Sequence, residues 1–150
     1  MSIDKDIKQR SFKSEYQKAI VNLIFTYNWT IEQLKKVLEE GGLTMQQFNI
    51  LRILRGSETP LSTLQIRDRM LDKMSDTSRI VDRLVLKELV KKTGCKTDKR
   101  LVDVTITPKG LSVLEKLDGH EDEMENILKS LSEAEAKTFN KLLDKIRKSH

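Results

Sequence analysis

From Phe12 to Leu38 the apolar residues Phe12, Tyr16, Ala19, Leu23, Tyr27, Ile31, Leu34 and Leu38 recur at steps of four or three, the spacing of one helical face. Ile20, Ile24 and Val37 widen that face. The pattern predicts a core helix that begins near Ser11 and stops at Gly41-Gly42, where glycine permits the left-handed conformation that ends helices. Thr44, with Gln47 at capping-box spacing, opens a second helix whose Phe48, Leu51 and Leu54 form one face before Gly56. After a SETP loop, Pro60 introduces a short helix over residues 61–71 that offers Leu64, Ile66 and Met70 for burial. Ser75 is the expected cap of the next helix, residues 76–89, which turns Ile80, Val81, Leu84 and Val85 inward.

Past Leu89 the period changes from helical to alternating. VKKTGC, the polar turn KTDKR and LVDVTIT, with Leu101, Asp103, Thr105 and Thr107 alternating against Val102, Val104 and Ile106, read as a β-hairpin. Pro108 sits at the first position of a helix through Leu111, Leu114 and Leu117, and the acidic DGHEDEMEN follows without a clear stop. Ser132 and Glu135 then cap a final amphipathic helix carrying Phe139, Leu142, Leu143 and Ile146. The order is four helices, a hairpin and two helices. Two short helices joined by a tight turn and followed at once by a basic hairpin make a winged helix-turn-helix, mainly α with a small β-hairpin wing.

Composition narrows the class. With 150 residues, six glycines, two prolines and no repetitive tract, the chain fits one domain, its lobe at about residues 44–110 between terminal helices at about 11–40 and 111–150. A charged start and the absence of any run of about 18 apolar residues point to a soluble, cytoplasmic protein that avoids the membrane. The single cysteine, Cys95, cannot form an intrachain disulfide. Net charge is +5, and its location is informative: residues 62–110 hold twelve Lys/Arg against seven Asp/Glu, while the rest holds sixteen of each sign. All the excess positive charge lies in the winged segment, as expected if that segment meets a polyanion.

The run SDTSRIVDRLVLKELVKKTGCKTDKRLVDVTITPKG resembles the recognition helix, wing and following helix of the MarR (multiple antibiotic resistance regulator) family. Four elements match in register: Arg79 to Leu84, Leu89-Val90, Asp98-Lys99-Arg100 and Thr107 to Gly110. The resemblance implies a transcriptional regulator, a homodimer paired through its terminal helices that binds double-stranded DNA at a pseudo-palindromic operator and represses by occlusion. The residues suit that role. Ser75, Asp76, Thr77, Ser78 and Arg79 occupy the first turn of the recognition helix, where short polar side chains and free N–H groups approach bases and phosphates. Arg79 can donate twice to a guanine edge, and Arg83, one turn on, can reach a phosphate. Asp82 is expected in an intramolecular ion pair, since a carboxylate is repelled by phosphate. Ser62, Thr63 and Gln65 would clamp the backbone. In the wing, Arg100 is similar to the family's minor-groove arginine with Asp98 as its acidic partner, and Lys96 and Lys99 would add phosphate contacts.

Three positions depart from the family's pattern: Leu71 and Glu88 stand where glycine is usual, and Arg67 where alanine is usual. The aromatic set Tyr16, Tyr27, Trp29 and Phe48 stands where the family binds small aromatic effectors, although core or dimer contacts explain the same residues. Cys95 reads as a passive strand residue, and His120 and His150 lack partners at ligand spacing, so neither metal nor cofactor is expected. No phosphate-cradling glycine loop, nucleophile elbow or HExxH pattern is present, so an enzyme is not expected. The competing class is a winged-helix protein-interaction module whose basic face meets an acidic protein.

Overall fold

The computed structural model describes residues 2–94 and 102–148. A short helix α1 (Ile3–Asp6) precedes the long α2 (Glu15–Leu38), which passes through a 3-10 turn (Glu39–Gly41) into α3 (Met45–Arg55). Then come β1 (Leu61–Ser62), α4 (Thr63–Arg69), α5 (Thr77–Leu86), β2 (Val90–Gly94), β3 (Val102–Ile106), α6 (Pro108–Asp118), α7 (Glu121–Asn126) and α8 (Glu133–Lys148). The expected order holds, with additions that are too short for periodicity to register. The two-residue β1 pairs antiparallel with β3, Leu61 opposite Val104, and completes a three-stranded sheet of order β1-β3-β2. β2 and β3 run antiparallel from Val90 opposite Ile106 to Gly94 opposite Val102.

The long first helix starts at Glu15, later than expected, because the Ser14 side chain accepts from Gln17 N and caps it there. Upstream, Lys18 pairs with Asp4 at 3.0 Å and lies over the Phe12 ring, tying α1 back onto α2. The hydrogen bond from Lys18 holds the Asp4 carboxyl below its ordinary value. The acidic stretch does break the helix: α6 ends at Asp118, and α7 begins at Glu121 after His120, whose ring lies 2.9 Å from Glu123.

One hydrophobic core lies at the middle of the chain. Ile50, Leu51, Ile66, Val81, Leu84, Val104 and Leu114 are fully enclosed, joining α3, α4, α5, β3 and α6. Burial at this scale contributes about 1.5–3 kcal/mol per large side chain. Gly110 shows how tightly α6 is seated, since a Cβ there would stand 2.3 Å from the Leu89 carbonyl oxygen. Arg55 and Asp118 clamp the far ends of α3 and α6 with paired hydrogen bonds of 2.8 and 3.1 Å.

The expectation of a core helix over residues 12–38 meets a correction. Only Val37 and Leu38 of α2 are buried, while Tyr16, Ile20, Leu23, Ile24 and Tyr27 are exposed. Leu64, expected inward, also faces out at 63 %, because α4 turns Ile66 and not Leu64 toward the core.

Candidate nucleic-acid interface

Two helix starts converge on one side of the lobe. At α4, Ser62 and Gln65 form a reciprocal capping box: Gln65 N donates to Ser62 Oγ at 3.2 Å and Ser62 N to Gln65 Oε1 at 2.9 Å. This follows from the S-x-x-Q spacing and was open to reading in the sequence. At α5 the cap is Asp76, whose Oδ1 accepts from Arg79 N at 3.2 Å, and not Ser75 as the spacing suggested. Asp76 has the stronger acceptor, and Ser75 Oγ is turned inward with no hydrogen-bond partner among the described residues.

Between these starts lies a cleft of about 570 Å³, lined on its polar side by Ser62, Thr63, Arg67, Ser75, Asp76, Thr77 and Ser78. Leu64, Met74 and Val102 form its apolar wall. Thr77 was expected on the outer face of the first helical turn, but only 3 % of it is accessible, and its buried hydroxyl also has no partner among the described residues. A hydroxyl left so typically costs about 1–3 kcal/mol.

Ser78, Arg79 and Arg83 are exposed on α5. Arg79 and Arg83 are four residues apart and therefore share a face. Neither guanidinium has an ion pair or hydrogen bond among the described residues. Their neighbour Asp82 is occupied differently: it pairs with Lys92 of β2, tying recognition helix to wing strand. The expected intramolecular pairing of Asp82 is thus present, with a partner that helical spacing could not reveal. Lys96, Asp98, Lys99 and Arg100, together with Cys95, lie outside the described residues.

The two departures at glycine positions resolve in opposite ways. Leu71 keeps an ordinary backbone, and its N–H donates to Asn49 Oδ1 of α3 at 2.9 Å, fixing the turn. Glu88 has φ 61°, the left-handed conformation that glycine serves best.

The aromatic set is not gathered into one cavity by a single chain. Tyr16 and Tyr27 are separated by about 16 Å along α2, and Tyr27 and Trp29 diverge by about 200° around its axis. Phe48 is packed against the lobe core with Arg52 over its ring at 5.6 Å. Among the described residues, no group of three or more His, Cys, Asp or Glu could hold a metal ion, and no helix is long and apolar enough to cross a membrane.

Comparison with known proteins places this geometry. Residues 41–101 match the MarR family model. The chain is similar to the HTH-type transcriptional regulator MhqR of Bacillus subtilis, 28 % identical over 131 residues that cover 86 % of this chain and 89 % of the relative. It is similar to the structure of a MarR transcription factor from Planctomyces limnophilus, at 31 % identity and TM-score 0.67, over 89 % of this chain and 98 % of that one. The fold is shared with Sco3205, a MarR family regulator of Streptomyces coelicolor solved in complex with DNA, at TM-score 0.80 and 21 % identity, covering 93 % of this chain and 91 % of that one. A helix-turn-helix with a paired wing between long terminal helices, matched at this identity over nearly the whole length, is decisive: the chain belongs to the MarR family of transcriptional regulators.

Proposed function

We propose that this regulator binds double-stranded DNA as a homodimer, with α5 of each copy in successive major grooves of a pseudo-palindromic operator. The observation that carries the reading is the pair of guanidiniums, Arg79 and Arg83, exposed on α5 with no ion pair or hydrogen bond among the described residues. Arg79 follows directly on the α5 start, whose Thr77 and Ser78 line the cleft where two helix N-termini meet, in the part of the chain that holds all the excess positive charge. Arg79, nearer the helix start, reads a base edge, and Arg83 reaches a phosphate. Ser78 and Thr63 line the approach, while Ser62, Gln65 and Asp76 contribute by shaping the two helix starts. Thr77 acts from inside the cleft wall. Lys96, Asp98, Lys99 and Arg100 lie outside the described residues; by the resemblance to the family, Arg100 is the candidate minor-groove contact and the lysines are candidate phosphate contacts.

The homodimer rests on the apolar stripes of the terminal helices. Tyr16, Ile20, Leu23 and Tyr27 form one on α2, and Phe139 and Leu142 begin another on α8. Occupancy of an operator that overlaps a promoter represses by excluding polymerase. A small aromatic effector would bind between the dimer helices and the lobe near Tyr16, Tyr27, Trp29 and Phe48, at a site that a second copy must complete, since a single chain does not gather these residues.

Selection of bound duplexes from random DNA, followed by salt-dependent mobility shifts, tests the reading. The expected result is an enriched inverted repeat and an affinity that falls steeply with salt. Arg79→Ala should cost about 1–3 kcal/mol and relax preference at one position, whereas Arg83→Ala should lower the salt slope by about one. An unenriched pool with no salt dependence overturns the proposal and favours a protein partner.

A further inference from the structure

Lys87 takes no part in the surface just described, yet it joins three elements at one point. It is the C-cap residue of α5, and its own N–H donates to Arg83 O at 3.1 Å. Its ammonium donates to Gly42 O at 2.9 Å and to Gln47 Oε1 at 3.1 Å. Gly42 is the left-handed residue that closes the end of α2 and its 3-10 turn. Gln47 is the capping-box residue of α3, and its Oε1 also accepts from Thr44 N at 3.2 Å, so this buried amide oxygen holds two donors. The cation therefore sits at the carbonyl end of α2, where the helix dipole favours positive charge. Hydrogen bonds from a charged donor are shorter and stronger than neutral ones and fix geometry accordingly.

The location gives this junction a consequence. α5 packs against α3, α4 and β2. The turn that receives Lys87 lies at the base of α2, the arm whose apolar stripe meets the second copy in the proposed dimer. We infer that Lys87 is a positioning residue that sets the angle between reading helix and dimer arm, and through it the half-site spacing the dimer accepts. The inference rests on the proposed DNA-binding dimer. In a two-fold dimer, a small rotation of α5 on its arm is applied twice and changes the distance between the two reading helices, which must match roughly one DNA turn of 10–10.5 base pairs.

The test uses full-length protein and duplexes bearing the half-site that the wild type enriches from random DNA, with centre-to-centre spacing varied one base pair at a time. Wild type should show a sharp optimum; a wild type that binds no duplex would defeat the dimeric DNA-binding reading itself, and a flat wild-type profile would overturn the spacing role. Lys87→Met keeps the alkyl stem and removes the three donors. It should remain a folded dimer, lose roughly tenfold in affinity at the best spacing and flatten the profile, with the salt slope unchanged. Lys87→Arg, which keeps a charged donor, should restore the optimum. Lys87→Gln carries the same expectation as Lys87→Met and serves where that variant does not fold. A spacing profile identical to wild type overturns the inference, and so does a salt slope reduced by about one, which would make Lys87 a direct phosphate contact.

Discussion

In α5, Val81 and Leu84 stand three residues apart on one face and are fully enclosed; in α8, Phe139 and Leu142 repeat that spacing and remain 37 % and 54 % exposed. α2 shows the same contrast within one helix, buried at Val37 and Leu38 where it enters the lobe and open along the stripe from Tyr16 to Tyr27. Periodicity alone does not distinguish the two cases. An amphipathic pattern states that a face must be covered and leaves open whether the cover comes from the same chain or another. The lobe closes on itself because five of its elements converge within residues 45–118. The terminal helices touch their neighbours over only part of their length and leave an exposed stripe that a second copy can fill.

The largest effect expected from this contrast is in the lobe. Leu84→Ala should destabilise the fold by about 2–5 kcal/mol, since the site is sealed on all sides and the cavity cannot collapse freely. Leu142→Ala, a chemically identical truncation on an exposed face, should change the unfolding free energy of dilute monomer by less than about 1 kcal/mol. Urea unfolding at low protein concentration measures both. Equal losses would mean that α8 is packed as firmly as α5.

Next in size is the effect of charge on the open stripe. Ile20→Glu, at a position 60 % exposed in the single chain, should leave the lobe folded and raise the dimer dissociation constant by at least about 100-fold, the scale of an interface hot spot. Sedimentation across a concentration series reads the shift. A dimer of unchanged affinity would move the interface off α2.

Legibility followed the same division. Elements longer than two turns were readable from their periods and caps, and the Thr44–Gln47 box and Pro108 at the start of α6 stand where the sequence put them. The spacing points to Ser75 as the cap and the structure uses Asp76, because both are good acceptors and burial decides between them: Ser75 Oγ is drawn inward. Leu64 was misassigned because a seven-residue helix has too few turns to fix its phase. On α5, the shared exposed face of Arg79 and Arg83 was legible from helical spacing. The Asp82–Lys92 pair and the Lys87 junction were not, since they join residues 10, 40 and 45 positions apart through the tertiary fold.

The smallest effect concerns the two helix ends that Lys87 brings together. Both close in the same way. Leu43 N donates to Leu38 O and Gly42 N to Glu39 O at one, while Leu89 N donates to Leu84 O and Glu88 N to Val85 O at the other. In each, the leucine after the turn is buried against the core, which fixes the bend. The turn residues differ: φ is 65° at Gly42 and 61° at Glu88. Nothing lies within 4 Å of a Cβ built on Gly42, so Gly42→Ala should lose about 1 kcal/mol through backbone strain alone. Glu88 already bears that strain. Its exposed pair with Lys109, at 3.4 Å, returns little. Glu88→Gly should therefore stabilise the lobe, by no more than about 1 kcal/mol because glycine also loosens the unfolded chain. The urea midpoint should move up for Glu88→Gly and down for Gly42→Ala with the slope unchanged; a fall in both would show that the Glu88 side chain contributes more than its backbone costs.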